Sequence, residues 1–322
     1  MKKKVLIVLA LIVAVALVIT SCDDEISSGT VKWAGIRVSY YGIARSFRTG
    51  KDKEFTFPSE SEMVGFGQKM SSCFEGSTAA YLLIVGTAGD IEDDDENVIK
   101  GTCSLMFPLS KTITYAHGSD DDFYESYLTA MDNAGCSVWL QVEPGDADLV
   151  ELAKEVMNRY KHHKCVKGFG IDVEWYQHRR QATDPEGEYD STKLSDSVAK
   201  AVVDAVRATN PSAGYTVFVK HWDSRWLPPT YRDGLIFVND SQYYESAEEQ
   251  KEDFAAWAEY YKPNPVMFQI GYAADKSKVW GKFSNPAKEL GQLIANACQS
   301  GNDIGIIWVD FTLKEAMSKI NN

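Results

Sequence analysis

The feature that most constrains the fold is a regular alternation of short β-branched and aromatic runs with amphipathic helical stretches, from Lys32 onward. The eight strand-like runs are Ala34–Tyr41, Tyr81–Thr87, Ser137–Glu143, Gly168–Glu174, Tyr215–His221, Leu235–Ser241, Val266–Tyr272 and Gly305–Phe311. Strands that alternate with helices imply parallel βαβ units, and eight of them imply a closed barrel. We therefore predict an α/β fold, a single (β/α)8 TIM barrel, over residues 32–322.

The helical stretches begin with the signals expected of helices. Ser119 precedes three aspartates at 120–122, and Ser246 precedes Glu248 and Glu249. A serine N-cap and acids in the first turn both stabilise the N-terminal end of a helix. The predicted helices are Glu60–Phe74, Asp121–Asn133, Ala147–His163, Ser191–Thr209, Ala247–Tyr261 and Pro286–Ser300.

One segment interrupts the alternation after the second strand. An acidic loop, Asp90–Glu96, is followed by an additional strand-like run, Thr102–Phe107, so we predict a hairpin inserted near residues 90–109. The loop lacks the ordered ligand spacing and the turn glycine of a calcium-binding loop. A solvated loop is therefore the favoured interpretation.

Residues 1–21 have the charge order and length of a secretory signal. Three lysines at 2–4 precede the apolar run Val5–Ile19, and the small residues before Cys22 resemble the lipobox of prokaryotic lipoproteins. That resemblance implies cleavage before Cys22 and lipidation of its thiol. A signal anchor is the alternative, although the run is short for a spanning helix of about 20 residues. Residues 22–31 would then be a polar tether, and the barrel would be held extracytoplasmically in the cell envelope, on the outer face of a membrane.

The remaining cysteines and the histidines do not predict a metal centre. Five cysteines follow Cys22, without a CxxC motif or paired histidine spacing, and at most two disulfides could form. Cys136 and Cys165 lie near predicted strand starts, where a buried free thiol is the commoner state. His162 and His163 end a charged helix, so we interpret them as helix-capping rather than metal-binding. No metal and no other cofactor is predicted.

The charge balance excludes one class of partner. The chain has 46 Asp and Glu against 33 Lys and Arg, a net charge of −13. A body this acidic repels phosphate backbones, so no nucleic acid is expected as partner. The 8 Trp and 16 Tyr are compatible with a surface that stacks sugar rings and equally with a Trp-rich core.

Polar and aromatic residues follow most of the predicted strands, at the end where a TIM barrel places its chemistry. Each one alone has a structural explanation, such as a turn cap for Glu143 or an ion pair for Lys220. A purely structural barrel, however, has no reason to concentrate such residues at one rim. They are Tyr40, Tyr41, Glu143, Asp172, Glu174, Trp175, Lys220, His221, Trp222, Asn239, Asp240, Gln242, Gln269, Tyr272, Trp308 and Asp310.

The run Gly168–Tyr176 carries the most specific chemistry. Residues two apart in a strand point to the same side, so we expect Asp172 and Glu174 both to face the barrel mouth. Two carboxylates held this close cannot both ionise freely, and the one with the higher proton affinity can act as a general acid near neutrality. Cleavage of a glycosidic bond requires such an acid at the leaving oxygen. Trp175 and Tyr176 would add apolar walls and sugar contacts.

This D-x-E pair resembles the second half of the glycoside hydrolase family 18 signature, D-x-x-D-x-D-x-E. The resemblance implies that Glu174 is the acid and that Asp172 orients the substrate acetamido group, which acts as internal nucleophile. Gly170 and Lys167 stand where the family has its two earlier acids.

The resemblance extends to two later strands. Asn239-Asp240 stands where the family has a Tyr-Asp pair, so the Asp is kept and the Tyr is lost. Trp308 matches the last-strand Trp that floors the sugar subsite. A second tyrosine would have to replace the missing one, and the candidates are Tyr243, Tyr244 and Tyr272.

The chain is also similar to the family 25 muramidases, barrels with a D-x-E pair and an Asp on the last strand. Asp310 fits that last acid, whereas the first-strand Asp of the family is absent and Arg37–Ser39 occupies its run. Together the two resemblances imply a barrel glycosidase that acts on N-acetylhexosamine polymers.

The main hypothesis is a membrane-anchored glycoside hydrolase whose partners are a polysaccharide or oligosaccharide and, through Cys22, the membrane. Glu174 is the general acid, Asp172 is its electrostatic partner, and Asp240 or Asp310 assists. A polar loop, Gln177–Ser191, would lie over the cleft as a flap. The alternatives are a non-catalytic carbohydrate-binding barrel lipoprotein and a surface barrel that binds another protein. The residues predicted to bind substrate are Tyr41, Glu143, Trp175, Tyr176, Lys220, His221, Trp222, Gln242, Gln269, Tyr272 and Trp308.

Overall fold

The computed structural model describes residues 30–48, 56–180 and 191–320. The predicted signal sequence, Cys22 and nearly all of the tether lie outside these ranges, as does most of the proposed flap. Within the three ranges, none of the helices has both the length and the apolar character needed to span a bilayer.

Eight parallel strands close into a barrel. The first strand, β1, pairs with the second barrel strand on one side and with the last on the other, so that Ile36 has both Tyr81 and Trp308 as register partners. The predicted TIM barrel is thereby confirmed. The barrel strands are β1 (Val31–Val38), β2 (Thr78–Glu92), β5 (Ser137–Val142), β6 (Val166–Asp172), β7 (Thr216–Lys220), β8 (Leu235–Asn239), β9 (Val266–Ile270) and β10 (Ile304–Trp308), with β3 (Val98–Leu105) and β4 (Ala116–Gly118) inserted after β2.

Helices form the outer layer, and their starts follow from local capping. Ser59 and Glu62 form a capping box, and Ser195 and Ser246 accept backbone N–H groups in the same way. The connection from β7 to β8 has only one 3-10 turn, Ser224–Trp226. The helices are α1 (Tyr40–Phe47), α2 (Glu60–Ser71), α3 (Glu125–Asn133), α4 (Leu149–Tyr160), α5 (Asp196–Thr209), α6 (Ala247–Tyr261), α7 (Pro286–Ala297) and α8 (Leu313–Lys319).

The barrel interior is filled by side chains of unequal size. Trp139 and Phe218 are the large ones, and the Trp139 Nε1 donates to Thr216 Oγ1 at 2.9 Å. Gly170 makes room for them, because a Cβ at that position would lie 2.1 Å from the Phe218 ring. No acid can therefore occupy position 170 in this packing, where family 18 has one of its signature aspartates. The apolar core between strands and helices is separate from this interior set.

An antiparallel hairpin extends β2 beyond the barrel. Gly86 of β2 is paired with Leu105 of β3, and the pairing continues outward. The segment after β6 docks on this hairpin, because Val98 N donates to Arg180 O at 2.8 Å. The acidic turn is closed by Asp93, whose Oδ1 accepts from Asn97 N at 2.9 Å. The hairpin thus supports the chain segment that follows Glu174.

The five cysteines after Cys22 are all buried and unpaired. Neither of the two disulfides that the sequence allowed is formed. Burial raises the pKa of the Cys136 and Cys165 thiols, which keeps them protonated and unreactive.

Candidate functional site

A cavity of about 630 Å³ opens at the C-terminal ends of β6, β7 and β8. Its size is that of a typical small-molecule site. Six predicted site residues line it, together with four that strand-end reasoning missed. The predicted ones are Glu174, Trp175, His221, Trp222, Asp240 and Gln242, and the missed ones are Ser191, Trp226, Ser241 and Tyr243.

Lys220 is the centre of the polar cluster beneath this cavity. Its side chain points into the barrel from β7, in the inward register that Thr216 and Phe218 also occupy. Its Nζ lies 3.1 Å from Asp172 Oδ2 and 3.0 Å from Glu174 Oε1, and it also forms an ion pair with Asp240 Oδ2. One ammonium group therefore bridges three carboxyl groups from the ends of β6 and β8.

The two acids of the D-x-E pair occupy different local structures, which corrects the expected strand register. Strand β6 ends at Asp172, and Glu174 lies in a 3-10 turn, Val173–Trp175. Both carboxyl groups still reach the same ammonium, because the turn directs Glu174 over the end of the strand. The Glu174 side chain is 32% exposed, whereas Asp172 is buried. Glu174 is thus the acid that a ligand in the cavity can contact.

The protonation states differ among the three carboxyl groups. Burial raises the pKa of Asp172 to about 7. Burial and the negative charge of Asp240 raise the pKa of Glu174 well above its usual range. Burial also opposes ionisation of Asp240, but Lys220 and a hydrogen bond from Glu174 outweigh it and lower the pKa of Asp240. Of the two, Glu174 therefore has the higher proton affinity and is the hydrogen-bond donor toward Asp240, which holds the negative charge more strongly.

Asp310 belongs to a second, fully occupied cluster. Its Oδ1 accepts from Arg37 Nη2 at 2.5 Å and Nε at 3.2 Å, and its Oδ2 accepts from Ser39 N at 2.6 Å and Ser39 Oγ at 2.7 Å. A Cβ at Gly42 would lie 2.2 Å from its carboxyl carbon, so the start of α1 packs directly on it. The sequence left the assisting role open between Asp240 and Asp310, and these contacts favour Asp240.

Three predicted substrate-binding residues lie below the cavity floor. Lys220, Gln269 and Tyr272 are buried, and Tyr272 Oη donates to Gln269 Oε1 at 2.9 Å. The prediction of direct substrate contact is corrected for them, because they hold other groups in place. Glu143 is similar: its Oε2 accepts from Ala88 N at 2.9 Å, and burial raises its pKa.

Aromatic rings form one wall of the cavity. Trp222 is 45% exposed, and His221 lies between it and Trp226, with ring centroids 5.3 and 5.4 Å away. His221 Nδ1 accepts from Asp223 N at 2.8 Å, so its Nε2 carries the proton. Burial lowers the pKa of His221 to about 4 and keeps the ring neutral. A second tryptophan only four residues after Trp222 was the sequence signal that could have identified Trp226 as part of the same wall.

Trp308 does not reach the cavity, and its predicted role in sugar stacking is corrected. The ring is fully buried and packs edge-on against Trp280, with centroids 5.4 Å apart. Its Nε1 donates to Thr312 Oγ1 at 2.9 Å. The physical reason is that successive side chains of a strand point to opposite faces: Ile307 points into the barrel, so Trp308 points to the helix layer.

The three tyrosines that could replace the missing family 18 Tyr have separate positions. Tyr244 Oη donates to Asp253 Oδ2 at 2.5 Å and is thereby held against α6. Tyr243 lines the cavity and is exposed. Tyr272 lies close enough to Asp240 and Glu174 that burial and their charges raise its pKa well above its usual range. Two more tyrosines were predicted to bind substrate, and neither lines the cavity: Tyr41 is exposed and Tyr176 is partly buried.

Comparisons with known proteins leave the family open. No family model matches the chain, and no curated protein matches it. Among solved structures, the chain is similar to a GH18 chitinase from Pseudoalteromonas aurantia, at 14% sequence identity and a TM-score of 0.35. That match covers 68% of this chain and 91% of the chitinase chain. At this level of similarity, only the site itself can support a function.

Proposed function

We propose that the chain is a glycoside hydrolase in which Glu174 is the general acid. The observation that carries this proposal is that Glu174, whose pKa is raised by burial and by Asp240, lines the same cavity as Asp240 and a wall of tryptophans. A carboxylic acid whose pKa is raised by burial and by a like charge is the group that protonates a glycosidic oxygen. Trp175, Trp222 and Trp226 would hold the sugar rings by stacking.

The spacing of the acids argues against an inverting mechanism. Glu174 Oε1 and Asp240 Oδ2 both contact Lys220 Nζ, one of them at 3.0 Å. The two oxygens therefore lie within about 6 Å of each other, below the roughly 6.5–9.5 Å that an inverting enzyme needs for its water. Either a carboxylate or a substrate group must then act as the nucleophile.

N-acetylhexosamine polymers are the proposed substrate class. Asp240 lines the cavity, and its Oδ1 is buried and has no hydrogen-bond partner among the described residues. An unsatisfied buried acceptor is costly, and a substrate N–H would satisfy it. An acetamido group offers such an N–H, and its carbonyl oxygen can act as the internal nucleophile that the family 18 resemblance implies.

The enzyme assay compares wild type with Glu174→Gln on the full chain in detergent. Chitin oligosaccharides, peptidoglycan and plain α- and β-glucans are incubated separately, and products are measured by mass spectrometry. The amide keeps the size of the side chain but removes the acid, so we expect product formation to fall by about 10²–10⁴. Glu259→Gln, in an exposed ion pair on α6, is the matched control and should leave the rate unchanged. A loss below tenfold in Glu174→Gln would remove Glu174 from the mechanism.

A non-catalytic carbohydrate-binding barrel is the second candidate, and the Lys220–Glu174 contact favours it. An ammonium 3.0 Å from Oε1 stabilises the ionised form of Glu174, which opposes its action as an acid. Gly170 and Lys167 also replace two acids of the family 18 signature. Protection of the fold by oligosaccharide, without any product after long incubation, would support this candidate and contradict the hydrolase.

The proposed location is the cell envelope, through a lipid on Cys22. The lysine-rich start, the apolar run and the small residues before Cys22 support it. Labelling with a radioactive fatty acid in a bacterial host, for wild type and Cys22→Ser, tests it. We expect label and membrane association in wild type alone, and label that persists in Cys22→Ser would contradict the anchor.

A further inference from the structure

Three metal-ligating side chains converge at a place remote from the cavity. They are Glu125, the first residue of α3, and His162 and His163, which lie in the loop from α4 to β6. Their candidate ligand atoms all lie within 4.8 Å of one another. This loop leads into the N-terminal end of β6, whereas Glu174 follows its C-terminal end. The cluster is therefore separate from the proposed catalytic site.

The helix-capping role expected for the two histidines is corrected. Helix α4 ends at Tyr160, and its C-cap residue is Lys161. The imidazoles instead contact acids on α3: His162 Nε2 lies 2.9 Å from Glu125 Oε1, and His163 Nε2 lies 3.2 Å from the same oxygen. Both rings thus face one carboxylate.

A second carboxylate fixes the tautomer of His163. Its Nδ1 lies 2.8 Å from Asp132 Oδ2, and Asp132 Oδ1 accepts from Cys165 N at 2.6 Å. An ionised carboxylate only accepts, so Nδ1 carries the proton and donates. In a neutral His163 the lone pair is consequently on Nε2.

That Nε2 is buried and lies close to the Glu125 carboxylate. The His163 side chain is only 3% exposed, and its Nε2 has no hydrogen-bond partner within the described ranges. Nε2 lies 3.2 Å from Glu125 Oε1 without forming a hydrogen bond to it. A buried ring nitrogen without a partner, beside a carboxylate oxygen and a second imidazole, is a group that a bound cation would satisfy.

We infer that Glu125, His162 and His163 form a binding site for a divalent transition metal of the zinc class. Tetrahedral coordination at about 2.0–2.2 Å places ligand atoms about 3.3 Å apart, close to the separations of 2.9 and 3.2 Å here. Two imidazoles and one carboxylate suit zinc and its neighbours rather than calcium or magnesium, which prefer oxygen ligands.

Asp132 is the positioning residue of this site. A metal-bound histidine usually donates its other ring N–H to a carboxylate, which fixes the ring and raises its basicity. Asp132 holds His163 in this way, seven residues after Glu125 on the same face of α3. Glu125 and His162 are about half exposed, so water can complete the coordination sphere.

The test is a titration of the chelator-treated full chain with Zn²⁺ by calorimetry, and with Co²⁺ by visible absorption. We expect one ion per chain and the intense bands of tetrahedral cobalt. Glu125→Gln and His162→Gln should each weaken binding at least tenfold, and their exposure means that the fold survives both. Asp132→Asn should weaken it by about 10–100-fold without removing a ligand.

His117→Gln is the matched control, because His117 is exposed and outside the cluster. It should bind like wild type. The inference is overturned if no saturable binding occurs, or if binding survives unchanged in both Glu125→Gln and His162→Gln. It is equally overturned if NMR finds a proton still on His163 Nε2 at pH 8 in the presence of saturating Zn²⁺, because a protonated ring nitrogen cannot bind the ion. None of these readouts depends on glycosidase activity.

Discussion

Replacing Lys220 with methionine tests whether one ammonium group holds the catalytic carboxyls together. Methionine fills nearly the same space, so the loss is mainly one of charge. Removing one partner of a buried ion pair costs about 3–5 kcal/mol of folding free energy, because the other partner is left unpaired. Lys220 contacts Asp172, Glu174 and Asp240, of which Asp240 has the most to lose because its pKa is lowered chiefly by that contact.

The loss of folding free energy in Lys220→Met should depend on pH. Without Lys220, Asp240 can avoid an unpaired charge by taking up a proton, which raises its pKa in the folded state above its unfolded value near 4. The folded variant then binds more protons than the unfolded chain, so its stability falls as the pH rises from about 4 toward the raised value. Each pH unit costs about 1.4 kcal/mol, which gives about 1.5 kcal/mol at pH 5 and about 4–5 kcal/mol at pH 7.5.

Urea unfolding of wild type and Lys220→Met at pH 5, 6 and 7.5 measures this difference. Asp172, whose pKa in wild type is about 7, contributes a slope common to both proteins up to that pH, and subtraction removes it; above pH 7 the lost contact with Lys220 raises the pKa of Asp172 further and adds to the loss. Lys200→Met is the control, because Lys200 pairs with Asp204 in an exposed i,i+4 contact worth less than about 1 kcal/mol. A loss that does not change with pH, or one under about 1 kcal/mol at pH 7.5, would refute the shared-ammonium reasoning.

Three further expectations follow from the site. Trp222→Ala should weaken oligosaccharide binding by about 5–30-fold, the equivalent of about 1–2 kcal/mol of stacking, and leave unfolding by urea unchanged. The buried Trp308→Phe should lower the free energy of unfolding and leave oligosaccharide binding unchanged. NMR of the first product should show the anomer of the substrate, and an inverted product would contradict the short Glu174–Asp240 separation. Asp310→Asn should lower stability by about 3–5 kcal/mol through Arg37, yet keep activity within tenfold at a temperature where it is folded; a larger rate loss would return Asp310 to the mechanism.

The barrel could be predicted from the sequence because its period is strong and local. Four of the eight predicted runs contain their whole strand, the other four overlap theirs in part, and Ala247–Tyr261 matches α6 at both ends. The C-terminal ends of the strands were less predictable. The runs through Glu174 and Phe311 continue past the true strand ends at Asp172 and Trp308, because a strand and a 3-10 turn of similar composition look alike in sequence.

The candidate site was predictable only as a set of strand ends. Side chains alternate between the two faces of a strand, so the register of each strand decides which of them point into the barrel. An error of one residue in that register reverses the assignment. Trp308 shows this: the family resemblance placed its ring at the sugar, whereas alternation with Ile307 turns it to the helices. Trp226 was missed because it lies in a loop beyond the strands, and Tyr243, also in a loop, was reached only through the family resemblance. The shared contact on Lys220 depends on three strand ends meeting, which no local pattern specifies.

The balance of charge and protons at the barrel mouth decides how an acid can function beside a lysine. Five carboxyl groups in the described part of the chain share two cations, so three excess negative charges would be buried if all were ionised. Three of the five have raised pKa values, and protons on these relieve that excess. The contact with Lys220 therefore does not keep Glu174 ionised, because the same ammonium also neutralises Asp240, which holds its charge more strongly. In a barrel that only binds sugar, amide side chains could make the same contacts as these carboxyl groups. An acid that faces the cavity and has a raised pKa therefore favours hydrolysis over binding alone. The carboxyl groups are Glu143, Asp172, Glu174, Asp240 and Asp310, and the cations are Arg37 and Lys220.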